Sequence, residues 1–77
     1  MNNHRRNILR QAIIALDTAE SHIAGCTNDE QSALDNLPES FQDSDRGAAF
    51  EDNIDRLSDA VDLIGQARDL IEETINA

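Results

Sequence analysis

The chain has 77 residues, of which 16 are acidic and six are basic, and its formal net charge is −10. This length predicts one small domain with a limited hydrophobic core. An acidic chain is not expected to bind DNA directly, because affinity for DNA comes mainly from basic side chains. Cys26 is the single cysteine, so the chain has no internal disulfide. No apolar run approaches the length of a membrane span and no signal peptide is recognisable, which predicts a cytoplasmic protein without a membrane partner.

The first predicted helix covers about residues 3–24. Its apolar side chains recur every three or four residues, at Leu9, Ala12, Leu16, Ala19 and Ile23. Asn2 or Asn3 suits the N-cap position, where a short polar side chain accepts from a free backbone amide. Gly25 suits the helix end, because glycine adopts the left-handed conformation that often terminates a helix.

The segment after Gly25 predicts a short helix and a turn. Thr27 and Glu30 have the spacing of a capping box, which favours a second helix over about residues 28–36. Pro38 then interrupts the helix, because it lacks an amide donor and disfavours helical geometry at the residue before it. It can itself begin a turn over residues 38–42.

The third predicted helix covers about residues 45–76, with Ser44 as its cap. Phe50, Leu57, Ile64 and Ile71 repeat every seven residues, and Leu63 and Leu70 form a further row beside them. This apolar face is wider than a single neighbouring helix covers, which predicts self-association. The predicted oligomer interface comprises Phe50, Leu57, Leu63, Ile64, Leu70 and Ile71.

Together these elements predict an all-α fold: an antiparallel helical hairpin with a short capping helix in its connector, associating into an oligomeric helical bundle. Helices of about 22 and 32 residues would differ in length by roughly 15 Å. The long helix would therefore overhang the short one near Phe50 and Ile54. Leu34, Leu37 and Phe41 are predicted to cover that overhang.

Carboxylates line one face of the third helix, opposite its apolar side. The row includes Asp52, Asp55, Asp59 and Asp62, which advance by three and four residues. One interpretation is a charged surface that mimics nucleic-acid phosphates and occupies the basic groove of a partner protein. The other is the solvated face of an ordinary amphipathic helix. Asp52 and Arg56 also have the spacing of an ion pair on a helix.

The arginines offer a second candidate surface. Arg5, Arg6 and Arg10 form a basic cluster near the N-terminus, and Arg46 lies among the carboxylates of the connector. With Arg46 they could bind a small anion in an oligomer, since a guanidinium makes bidentate contacts with phosphate. Alternatively, the cluster is a solvated helix start, and Arg46 neutralises Glu39, Asp43 and Asp45.

No catalytic arrangement is recognisable in the sequence. His22 and Cys26 have helical spacing, but no second pair completes a metal site. Phosphate loops and metalloprotease motifs are absent. The chain is therefore predicted to be no enzyme and to use no cofactor or metal.

The stretch DEQSALDNLPESFQDSDRGAAFEDNIDRLSDAVDLI resembles small acidic proteins found in bacterial, phage and mobile-element genomes. Those proteins share a basic amphipathic start, an NLPE-x-LQ-x-SERG type of connector and a long acidic helix. Matching positions here are Asp29, Glu30, Gln31, Asn36, Leu37, Pro38, Glu39, Gln42, Ser44, Arg46 and Gly47. Phe41 replaces the usual Leu, and Asp45 replaces the usual Glu. The resemblance implies a helical hairpin and a phage or mobile-element setting, but no activity.

Three functions follow as hypotheses. The first is a phage protein that inhibits a host defence system, as anti-CRISPR proteins do, by placing the acidic row on a basic host protein such as a nuclease or its complex. The second is an oligomer that sequesters a small anionic signal of the cyclic-nucleotide type through Arg5, Arg6, Arg10 or Arg46. The third is a structural or regulatory homo-oligomer without a ligand.

Overall fold

A computed structural model describes all 77 residues as two long antiparallel helices joined by a short helical connector. The helices are α1, Asn3–Asp35, α2, Glu39–Gln42, and α3, Asp45–Asn76. α1 and α3 pack together, and the molecule measures 59 × 15 × 12 Å. These features confirm the predicted all-α hairpin with a short helix in its connector.

α1 continues through the position at which the sequence predicted its end. The prediction of a helix over about residues 3–24 and a separate one over about 28–36 is wrong, because Gly25 lies inside one continuous helix. Thr27 does not begin a capping box; its hydroxyl donates to the carbonyl of Ile23 at 2.8 Å. Glycine costs a helix interior only about 1 kcal/mol relative to alanine. Packing of the following turns against α3 outweighs that cost.

The two long helices have nearly equal lengths, 33 and 32 residues. The predicted overhang of α3 therefore does not exist. Phe41, which was expected to cover it, is 46% exposed, whereas Leu37 is half-buried. The connector closes the end of the hairpin and covers no exposed flank of α3.

The connector is held by hydrogen bonds and by one close backbone contact. The side-chain amide of Gln42 donates to the carbonyl of Leu37 at 2.9 Å, and the hydroxyl of Ser44 donates to the carbonyl of Phe41. Gly47, in the first turn of α3, is buried beside Gln42. A Cβ at position 47 would lie 2.6 Å from the carbonyl carbon of Gln42. Only glycine permits this approach of the connector to α3.

The residues shielded between α1 and α3 repeat at intervals of three and four, the pattern of a coiled coil. This set, called the seam below, comprises Arg6, Leu9, Ile13, Leu16, Glu20, Ile23, Thr27, Glu30 and Leu34 of α1 and Gly47, Phe50, Ile54, Leu57, Val61, Ile64, Arg68, Ile71 and Ile75 of α3. Ile13 and Ile75 are its only buried large side chains, each 9% exposed. One hairpin therefore leaves much of its apolar surface in contact with water.

The predicted oligomer interface divides into two groups. Phe50, Leu57, Ile64 and Ile71 belong to the seam and are half-buried in the single chain, where they pack between α1 and α3. Leu63 and Leu70 lie outside the seam and are 64% and 63% exposed. Spacing alone did not separate these groups because both repeat every seven residues.

Candidate functional site

The acidic row stands on the side of α3 that faces away from α1. Asp52, Asp55, Asp59 and Asp62 are all exposed. At about 1.5 Å per helical residue, their successive backbone positions rise by roughly 5 Å along the helix axis. None of the four forms an ion pair or a side-chain hydrogen bond; the two ion pairs of the chain lie elsewhere. The row therefore carries four uncompensated negative charges.

Arg56 does not neutralise this row. The predicted pairing of Asp52 with Arg56 is not formed, because the guanidinium of Arg56 donates to the side-chain oxygen of Asn53 at 3.3 Å. Asn53 in turn donates to the carboxylate of Glu30 on α1 at 3.2 Å. Arg56 and Asn53 thus belong to a polar contact between the helices and leave the carboxylates exposed.

The N-terminal arginines have local partners. The Nε of Arg6 donates to the backbone carbonyl of Ile75 at 3.2 Å, and Arg10 donates to the side chain of Asn7 at 2.8 Å. A positive charge at a helix C-terminus is favourable, and the last carbonyls of a helix lack partners within it. The contact of Arg6 explains a basic residue at the start of α1, because in the antiparallel hairpin that start lies beside the end of α3.

Replacing Arg6 by glutamine should fray the last turn of α3. Loss of one hydrogen bond and one favourable charge is expected to cost about 1 kcal/mol of unfolding free energy. Hydrogen exchange should accelerate at the amides of the last turn while the centre of α3 remains protected. Arg5→Gln is the matched control, because Arg5 is exposed and its side chain has no hydrogen-bond partner. An equal effect of both substitutions would contradict the assigned role of Arg6.

Arg46 lies at the opposite end of the hairpin from the other three arginines. Ile75, the contact of Arg6, is 29 residues further along α3, which corresponds to roughly 44 Å at about 1.5 Å per residue. One chain therefore does not bring Arg5, Arg6, Arg10 and Arg46 together. The predicted neutralisation of Glu39, Asp43 and Asp45 by Arg46 is also wrong, because Arg46 is exposed and forms no ion pair.

An interhelical ion pair was not identified from the sequence. Arg68 donates to the carboxylate of Asp17 on α1 at 2.7 Å and to Glu72 at 2.8 Å. The hydrogen bond and the charge of Asp17 raise the pKa of Arg68 above its ordinary value, with a smaller contribution from Glu72. The sequence contains an indication of this ion pair. Ile54, Val61 and Ile75 occupy one heptad row, and Arg68 is its single charged member, which suggests a charged partner on the facing helix.

The remaining candidates are dispersed. His22 and Cys26 lie one turn apart on the continuous α1, but no group of three potential metal ligands occurs in the structure. The cavities are open grooves between or beside the helices. One is lined by Cys26, Asp29, Glu30, Asn53, Arg56 and Leu57. Neither long helix contains a stretch sufficiently long and apolar to traverse a lipid bilayer.

Comparisons of the sequence with protein-family models, with curated proteins and with solved structures found no match. The resemblance to small acidic phage proteins accordingly stays a prediction.

Proposed function

We propose that this protein is a non-catalytic binding protein of the phage or mobile-element type, which inhibits a host defence system by occupying a basic surface of a nuclease or its complex. The acidic row, defined by Asp52, Asp55, Asp59 and Asp62, provides the contact. The genomic setting comes from the sequence resemblance. The mode of action comes from the charge and exposure of the row.

The observation that carries the proposal is the absence of any neutralising partner for the row. Its members are neighbours at intervals of three and four residues, and each such pair of like charges costs a helix about 0.2–0.5 kcal/mol. A basic partner would offset this repulsion, because its positive side chains would attract the carboxylates of the row. Complementary charge would also accelerate encounter and make binding weaken as salt is added.

The shape of the hairpin supports the same mode of action. α3 is one continuous helix of 32 residues, and the four aspartates of its acidic row form no ion pair with the rest of the chain. A rod with carboxylates at a regular rise can lie in an extended basic groove. A deep catalytic cavity is not needed for inhibition of this kind, because the inhibitor acts by excluding the nucleic acid that the groove would otherwise bind.

The test is capture of a basic protein from a bacterial host lysate, followed by an assay of nuclease inhibition with the captured complex. Replacing the four aspartates of the row by lysine should reduce capture and inhibition at least tenfold. The matched control replaces four other exposed acids, at the connector end, by lysine, and so changes the net charge by the same amount. These residues are Asp35, Glu39, Asp43 and Asp45. This control should retain most of both activities.

Equal loss in the two variants would show that net charge alone controls binding, and the row would have no specific role. Retention of inhibition by the row variant would reject the proposal directly. Circular dichroism of both variants must show the same helical content as the original protein, so that a difference in capture reports the surface and not the fold.

A further inference from the structure

One side of the hairpin is mainly apolar over the half nearest the two termini, and it is distinct from both the seam and the acidic row. The groove lined by Cys26 and Asp29 of α1 and by Asn53 and Arg56 of α3 shows which positions share this side. Steps of seven residues keep a side chain on the same side of a coiled coil. Towards the two termini, such steps from these four positions reach eight alanine, leucine and isoleucine residues, and also Arg5, His22 and Thr74. The eight apolar residues are called the alanine–leucine face below: Ile8, Ala12, Ala15, Ala19, Ala60, Leu63, Ala67 and Leu70.

The composition of this face is that of a helix-packing surface. The face consists of five alanines, two leucines and one isoleucine, and it is bordered by Arg5, His22 and Thr74. Leu63 and Leu70 are 64% and 63% exposed, and Ile8 is 51% exposed. Alanines between these larger side chains let a second backbone approach closely, so that large residues fill the space above small ones. The acidic row lies on another side of α3 and remains free.

The elongated hairpin exposes more surface than a compact monomer of its mass. The accessible surface is 5521 Å². A folded monomer of 8.5 kDa is expected to expose about 4,700 Å², so this hairpin exposes roughly 800 Å² more. A stable protein–protein interface of standard size buries about 800 Å² on each partner. The radius of gyration, 17.4 Å, likewise exceeds the value of about 11–12 Å expected for a compact chain of this length.

We propose that the alanine–leucine face binds a second copy of this chain, forming an antiparallel four-helix bundle. The inference is independent of the proposed function, because it uses a different surface. Each copy would place Leu63 and Leu70 against the other hairpin. Two acidic rows would remain on the outside of the dimer.

Charge fixes the antiparallel orientation. The connector end, residues 29–52, carries eight carboxylates and a single arginine, Arg46. The end that holds both termini carries four arginines, Arg5, Arg6, Arg10 and Arg68, and four carboxylates, Asp17, Asp69, Glu72 and Glu73. A parallel dimer would bring the two acidic connector ends together. An antiparallel dimer places the two acidic connector ends at opposite ends of the bundle, which avoids this repulsion.

Sedimentation equilibrium tests the association. The original protein should sediment at twice its 8.5 kDa mass at micromolar concentration. Replacing Leu63 and Leu70 together by glutamine, which keeps helix propensity, should weaken the dimer roughly a thousandfold, because four buried leucines are lost per dimer. Ile14→Gln is the matched control. Ile14 is 65% exposed but borders the groove lined by Arg10, Glu72 and Asn76, on the opposite side of the hairpin.

A monomeric original protein would overturn the proposal, and so would an equal loss of association in the Ile14 control. Should the leucine variant fail to fold, a second measurement on the unsubstituted chain decides. A spin label on Cys26, the only cysteine, reports the distance between copies. Cys26 lies eleven residues beyond Ala15, near the centre of the face, so antiparallel copies separate the labels by roughly 30–35 Å. A separation below about 20 Å would reject the antiparallel orientation.

Discussion

Replacing Gly47 by alanine should detach the connector from α3 and lower the unfolding free energy by about 2–3 kcal/mol. The added Cβ would overlap the backbone carbonyl of Gln42, and a backbone atom cannot move aside as a flexible side chain does. Residues Glu39–Gln42 must shift, which breaks the hydrogen bond from Gln42 to the carbonyl of Leu37. Denaturant unfolding measures the loss, and hydrogen exchange locates it in the connector.

Two other glycines provide matched controls, because alanine at these positions is expected to raise the unfolding free energy. Gly25 and Gly65 lie inside α1 and α3, and a Cβ at either position would meet no atom within 4 Å. Alanine at each should stabilise the hairpin by about 0.5–1 kcal/mol, because glycine loses more backbone entropy in a helix. A Gly47→Ala protein as stable as these controls would show that the connector is not held against α3 as described.

Replacing Ile13 by alanine should lower the unfolding free energy by about 2–3 kcal/mol. Ile13 and Ile75 are the only buried large side chains, and truncating a buried isoleucine removes its transfer energy and leaves a cavity. The expected loss is at the lower end of the usual range, because the surroundings of Ile13 are partly open to water. In a small helical hairpin this is a large share of the total stability.

The adjacent residue is the control for Ile13. Ile14→Ala removes the same atoms from the same helix, but Ile14 is 65% exposed, so a change within about 0.5 kcal/mol is expected. Chemical denaturation of both variants under one set of conditions gives the comparison. Similar losses at the two positions would mean that Ile13 is not the packing centre of the seam.

The sequence predicted the helical hairpin because heptad repeats in both halves, separated by Pro38, admit few other arrangements. It misplaced the end of α1 because Gly25 and Thr27 carry local termination signals that tertiary packing overrides. Beyond Gly25 the seam contains Thr27 and Glu30, so the apolar period weakens there and the continuation of the helix was not apparent. Local propensity misled the prediction at the position where the core is least apolar.

The acidic row could be read from spacing, and the exposure of its members follows from the position of α3. The roles of the arginines could not be predicted. Arg6 contacts Ile75, 69 residues away, and Arg68 contacts Asp17, 51 residues away. Such contacts depend on the register of the two helices, which the connector sets. The connector begins only after Asp35, because α1 continues through Gly25, and this became evident only from the structure.

The distribution of polar residues along the seam bears on how the hairpin folds. Pairing near the connector, as between Glu30 and Asn53, closes a loop of 23 residues, whereas Arg6 and Ile75 are separated by 69. Closing the longer loop first costs roughly 1 kcal/mol more entropy, so chain statistics favour folding that begins at the connector. Yet the two buried isoleucines, Ile13 and Ile75, lie at the other end. The best-buried contacts of the hairpin are therefore those whose loop closure costs the most entropy.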